Sequence, residues 1–263
     1  MRRRSPAGWL GRVQLARSGG PLDTAGQGAA RRLIAGDVDG ALAMAQAGRT
    51  SRAALPHSEA YRVLAWAHLV RGERPEAEAA ASVTRRMRAP DRLLTVALVV
   101  ASGGPSNGAA AALAGTQGVL SLVGATRVFA AHDRLGAVLD EIAGSPAGVE
   151  RAAFEALLVG LVAVGRDEVA DVTDQLATLG VPADRYVTYA SVLGEQGFTA
   201  LAVAYLSIAA QRGFADVGRV EAGEHFGDAR ADPDFEPIRA AIVANARRSD
   251  AADGPGSIRP AVD

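Results

Sequence analysis

Large and small apolar residues recur along this chain in a fixed relation to its turns. Six small residues mark the turns: Gly36, Gly72, Gly104, Ala131, Gly165 and Gly197. Eleven residues before them stand Ala25, Tyr61, Leu93, Leu120, Phe154 and Tyr186. Eight before stand Gly28, Leu64, Val96, Val123, Leu157 and Tyr189, and seven before stand Ala29, Ala65, Ala97, Gly124, Leu158 and Ala190. The first two columns are bulky in five of six cases, and the third is small in five of six. Residues three and four apart share one face of a helix, so each unit opens with a helix that is large, large and small along one side. The small position lets a neighbouring helix come close, and the turn residue ends the helix in a left-handed conformation. Five residues after each turn comes another small residue: Ala41, Ala77, Ala109, Gly136, Ala170 or Ala202. There a second helix is expected to cross the first. The pattern predicts helical hairpins over 24–48, 57–88, 91–115, 117–144, 149–180 and 183–213, and nowhere sustains the alternation of a strand.

Composition changes the weight of each part of this pattern. With 30 Gly in the chain, Gly followed by Ala at the fifth position also occurs out of phase, at Gly11/Ala16, Gly20/Ala25 and Gly148/Ala153. The inference therefore rests on the columns, which take four of the twelve aromatic residues. The turn intervals of 36, 32, 27, 34 and 32 residues fit stacked helical hairpins. Breakers separate the units at Leu55-Pro56-His57-Ser58, Ala89-Pro90-Asp91, Gly144-Ser145-Pro146 and Gly180-Val181-Pro182, and the longest runs from Gly103 to Gly108.

These columns resemble the tetratricopeptide repeat over about residues 24–213. The closest units are Tyr61, Leu64, Ala65, Gly72 and Ala77, and Tyr186, Tyr189, Ala190, Gly197 and Ala202. The first unit lacks the bulky column, the fourth turns through Ala131-His132-Asp133, and the fifth has Leu158 where a small residue belongs. The resemblance implies an all-α, right-handed solenoid of stacked antiparallel hairpins. It also implies a non-enzymatic scaffold that binds a protein or peptide in a concave groove lined by first helices. Carried onto this chain, that groove is lined by Arg62, Trp66, Leu94, Leu98, Glu155 and Val159, with Ser121, Ala125, Val187 and Ser191 in equivalent places. The lining is mostly apolar and suits an amphipathic helix or an extended hydrophobic segment. Loops, the C-terminal helix or a second copy of the chain are the alternative occupants.

Beyond the hairpins, Asp232 reads as an N-cap with Pro233 at the first helical position of a capping helix over about 233–248. Residues 1–23, rich in Arg, Gly, Ser and Pro, read as a flexible arm, 24–248 as the repeat domain and 249–263 as a disordered tail. The arm carries Arg2, Arg3, Arg4, Arg12 and Arg17 against Asp23. It supports an alternative function: an accessory domain of a membrane-associated or signalling system that touches the membrane side or an acidic partner through this arm. Its basic opening lacks the hydrophobic segment of a secretory signal. Elsewhere no run approaches the ~18 apolar residues of a spanning helix.

The charge balance of −1 offers no field for nucleic acid, so none is expected as a partner. No Cys is present, which excludes thiolate chemistry and fits a reducing, cytoplasmic setting. All 28 basic residues are Arg, which excludes phosphate-loop, Schiff-base and kinase-type lysines. His57, His68, His132 and His225 have no metal-pair spacing, and no nucleophile elbow or dinucleotide loop occurs. No catalytic residue, cofactor or metal is expected. The arginines Arg85, Arg86, Arg88 and Arg92 straddle a helix end and the next start, where they either compensate the helix dipole or form an anion-binding patch.

Overall fold

The apolar faces close into helices throughout. A computed structural model describes residues 24–50, 57–87, 91–116 and 118–252. The arm of residues 1–23, Leu55-Pro56, Arg88, Ala89-Pro90 and residues 253–263 lie outside the described residues. Among those described there are fifteen α-helices and no strand. The first four are α1 (Thr24–Ile34), α2 (Val38–Thr50), α3 (His57–Val70) and α4 (Arg74–Met87). Then come α5 (Arg92–Ala101), α6 (Ala109–Gly115), α7 (Val119–Ala131), α8 (Leu135–Ala143), α9 (Ala147–Val164) and α10 (Val169–Thr178). The last are α11 (Ala183–Glu195), α12 (Thr199–Gln211), α13 (Val217–Ala222), α14 (Gly227–Arg230) and α15 (Phe235–Ala252), with a 3-10 turn over Glu224–Phe226.

Every odd-numbered helix from α1 to α11 ends in the same way. Gly36, Gly72, Gly103, Asp133, Gly165 and Gly197 take positive φ. The amide of the next residue then reaches back to the carbonyl five residues earlier, as from Asp37 to Arg32 and from Arg134 to Phe129. This is the Schellman closure of a helix C-terminus. Two turns are displaced from their expected places: Gly103 replaces Gly104, and Asp133 replaces Ala131. The left-handed residue must be the one that follows the last helical turn. In the fourth hairpin Asp133 adopts it at φ 52, which a short polar side chain tolerates. With these positions the intervals become 36, 31, 30, 32 and 32 residues, more even than the sequence spacing.

The chain divides into two compact units between Leu179 and Gly180. In the first, α1 pairs with α2, α3 with α4, and α2 lies broadly on α3. Ala41 and Ala77 are fully buried at these crossings, as is Ala109 on α6, whereas Gly136 and Ala170 are exposed on α8 and α10. The regular order breaks after α4, which makes only a narrow contact with α5. Helix α7 packs on α1 and α3 as well as α5 and α9. A linear stack places each repeat against its neighbours alone, so α7 folds this unit back on itself. Glycines permit the close approaches. A Cβ on Gly124 would stand 2.7 Å from Cδ2 of Trp66, and one on Gly160 of α9 would stand 2.8 Å from the Leu122 carbonyl oxygen.

In the second unit α11 and α12 form a hairpin around Tyr186, Tyr189 and Tyr205, whose ring centroids lie 5.7–6.5 Å apart. Helix α15 covers α12 with buried Phe235, Ile238 and Ile242. It starts at Phe235 rather than 233, because Asp232 closes a turn of its own. Its carboxylate accepts from the Asp234 amide at 3.0 Å and its carbonyl from the Phe235 amide at 3.0 Å. Residues 249–252, read as tail, continue α15.

Several helix ends among the described residues are completed by side chains from elsewhere in the chain. Glu141 on α8 accepts from the Gly108 and Ala110 amides at 2.9 and 3.2 Å, at the start of α6. Arg127 on α7 donates to the Leu33 and Ile34 carbonyls at 2.6 and 3.0 Å, at the end of α1. Asn245 on α15 donates to the Ala210 and Phe214 carbonyls at 2.8 and 2.9 Å, at the end of α12. Helix ends leave such groups without intrahelical partners, and these contacts satisfy them.

Candidate functional site

The structure separates the six expected groove residues. Trp66 is fully buried against Gly124, and its indole N–H has no acceptor among the described residues. Val159 is buried, and Glu155 is buried with one oxygen 3.2 Å from Nε of Arg151. Arg62 is half-buried, 3.1 Å from Glu59 and beside Gly118 at the start of α7. Ser121 and Ala125, expected to face outward on α7, are also buried. The α3 face expected to meet a ligand is therefore occupied by the chain's own α7. The cause is legible in α7 itself: Val119–Ala131 carries one charged residue, Arg127, and has no polar side. A helix apolar all round must be enclosed on all sides, and nearly every residue from Val119 to Phe129 is.

Leu94 and Leu98 come together elsewhere, in an open cleft of about 250 Å³ between α4 and α5. Leu94 forms its buried floor with Ala81, and Leu98 is half-buried. Val99, missed by the sequence reasoning, stands 42% exposed on its wall and is the one large apolar side chain so exposed among the described residues. No column position marks Val99, because its exposure follows from the break in stacking after α4. The polar groups around the cleft are largely engaged. Arg74 pairs with Glu78 at 2.7 Å. Asp91 caps α5 through the Leu94 amide at 3.1 Å and accepts the Ser121 hydroxyl at 2.7 Å. The hydroxyls of Thr84, Thr95 and Ser102 bond to carbonyls of their own segments. Arg85 makes one long contact, 3.4 Å to the Ala81 carbonyl.

A second, shallower depression lies between the end of α12 and α15, beside Arg212 and Arg248. Its buried polar residue, Asn245, is occupied with capping α12 and also accepts from Arg248.

The titratable groups show structural partnerships. Amide donation from Gly40 and the guanidinium of Arg32 hold Asp37 below the usual carboxylate range, and Arg166 does the same for Glu168. Both shifts favour the ionised form, the reverse of what prepares a carboxyl group to act as an acid near neutral pH. His68 lies 2.6 Å from Glu73 across the α3–α4 turn, and the exposed His225 lies 3.1 Å from Glu195. His132 is exposed, next to the Asp133 turn. Among the described residues no group of three or more His, Cys, Asp or Glu could hold a metal ion, and no helix is long and apolar enough to cross a membrane. The chain matches no family model, no curated protein and no solved structure.

Proposed function

We propose that the protein is a non-enzymatic interaction module that binds another polypeptide at the α4–α5 cleft. Its hairpins are read as tetratricopeptide-like units whose right-handed stacking is interrupted after α4. The observation that carries this reading is Val99, an exposed large apolar side chain joined to Leu98 and Leu94 in one concave surface. Exposed apolar side chains grouped in a concavity are where polypeptide partners gain affinity, because burying them removes water from both surfaces. Because α7 covers the inner side of α3, the binding surface moves from the groove around Trp66 to the flank of α4, where the next hairpin of a continuous stack would lie.

Val99→Asp and Leu98→Ser test this in the full-length chain. Quantitative mass spectrometry of co-purifying proteins is expected to show at least one partner depleted about fivefold or more, with thermal melting of the Val99→Asp variant unchanged. A change of that size corresponds to about 1 kcal/mol. Identical partner profiles for both variants and the parent protein would remove the cleft from consideration.

A further inference from the structure

We propose that the occupant of the α4–α5 cleft is the same cleft of a second copy of this chain, related to the first by a two-fold axis. The proposal rests on the reading of this cleft as a polypeptide-binding surface and names the polypeptide. A two-fold contact brings one patch against itself, so the patch must be its own complement when turned by half a revolution. The cleft meets that condition in charge and in shape.

Four charged residues line it: Arg74, Glu78, Arg85 and Asp91. The first three follow one another along α4, and Asp91 caps α5 just beyond the end of α4. The signs therefore run positive, negative, positive, negative. Half a revolution reverses the row, and a reversed alternating row of four is its own complement at every place. Arg74 of one copy then faces Asp91 of the other, and Glu78 faces Arg85. Within one chain Arg85 makes a 3.4 Å contact to the Ala81 carbonyl; in the pair it gains a carboxylate. Glu78 already holds Arg74 at 2.7 Å, and a carboxylate bonded to one guanidinium keeps acceptor capacity for a second. The row is neutral in sum, so it favours neither an acidic nor a basic stranger. What it favours is its own order reversed.

Glu78, Ala81 and Arg85 lie three and four residues apart, on one face of α4. The axis passes beside Ala81, whose small, buried side chain lets the two α4 helices come close. The apolar groups obey the same operation. Val99 projects from the wall, and five residues before it on α5 Leu94 forms part of the buried floor. Half a revolution carries Val99 of each copy toward the Leu94 end of the other, so a projection meets a hollow twice.

Sedimentation velocity of the full-length chain tests this. Contacts between two-helix flanks are at the small end of specific interfaces, so a range from about 5 to about 500 µM is scanned. A monomer–dimer equilibrium is expected within it. Val99→Asp, Glu78→Arg and Arg85→Glu should each weaken the dimer about tenfold or more, with thermal melting unchanged; in the two charge variants like charges face each other twice. Mixing equal amounts of Glu78→Arg and Arg85→Glu should restore association to within about threefold of the parent protein, because each variant then offers the charge the other needs. A structural role for either residue would produce no such rescue. A chain that stays monomeric across the range overturns the proposal and leaves the cleft to a different polypeptide, which the partner profiles of Val99→Asp and Leu98→Ser decide separately. A dimer indifferent to Val99→Asp, or a loss in the charge variants that mixing does not restore, also overturns it, because the two copies then meet in some other way.

Discussion

A methyl group on Gly160 would overlap the Thr126 hydroxyl and press on the Leu122 carbonyl oxygen. The hydroxyl can rotate away, but the carbonyl belongs to the α7 backbone. Gly160→Ala is therefore expected to destabilise the protein by about 1–3 kcal/mol, the usual cost of overpacking, read as a lower urea midpoint. Adding Thr126→Ala should recover only part of the loss. Gly136 is the internal control: it lies near the start of α8 with open space where a Cβ would go. Gly136→Ala should be neutral or stabilise by up to about 1 kcal/mol. Equal effects at the two glycines would contradict the close α7–α9 crossing. Both residues look alike in the sequence, as glycines within apolar runs. Only the partner helix distinguishes them: Gly136 stands in the small column after the turns and meets nothing, whereas Gly160, which belongs to no column, bears the close approach.

At the scale of helices, starts and stops were largely legible because caps and breakers act locally. Asp37 before α2 shows what such a local device contributes. Its carboxylate accepts from the Gly40 amide at 2.9 Å and from Arg32 at 2.7 Å, and its pKa lies below the ordinary value. A depressed folded-state pKa means the native form binds the proton less readily than the unfolded chain. The stabilisation is then complete above the unfolded value of about 3.9 and is lost as pH falls through the folded one. Asp37→Asn keeps the capping shape without the charge. Between about pH 5 and about pH 3, its unfolding midpoint should fall less than that of the parent protein; parallel declines would assign the acid sensitivity to other carboxylates. Less legible were caps supplied from a distance. Glu141 lies on α8 with nothing local to show that it serves α6, and Asn245 lies on α15 yet completes α12. The shifts from Gly104 to Gly103 and from Ala131 to Asp133 have a related cause. The left-handed residue is set by where the helix runs out, and neighbouring candidates compete for that position.

Across the molecule, the all-helical class followed from periodicity, but the expected site did not, since it assumed that hairpins touch only their sequence neighbours. The return of α7 onto α1 and α3 buries Trp66, while Val99 stands exposed beside the half-buried Leu98. Arg127 secures that return. It is half-buried, and burial lowers its pKa below the ordinary guanidinium value while two helix-end carbonyls accept its hydrogen bonds. Arg127→Met keeps much of the bulk and strands both acceptors. A loss of about 1.5–3 kcal/mol is expected, as for hydrogen bonds to a charged group, measured by urea denaturation, with Arg127→Lys intermediate. An unchanged midpoint would mean that water serves the end of α1 as well as Arg127 does. The same contact has a bearing on how the protein is made. Leu33 and Arg127 are 94 residues apart, so at roughly 5–20 residues per second the ribosome adds the arginine about 5–20 s after the carbonyl it will meet. Throughout that interval the first two hairpins wait with the inner face of α3 bare. The nascent chain is then most exposed to chaperones and proteases, and a pause in translation before α7 would prolong it.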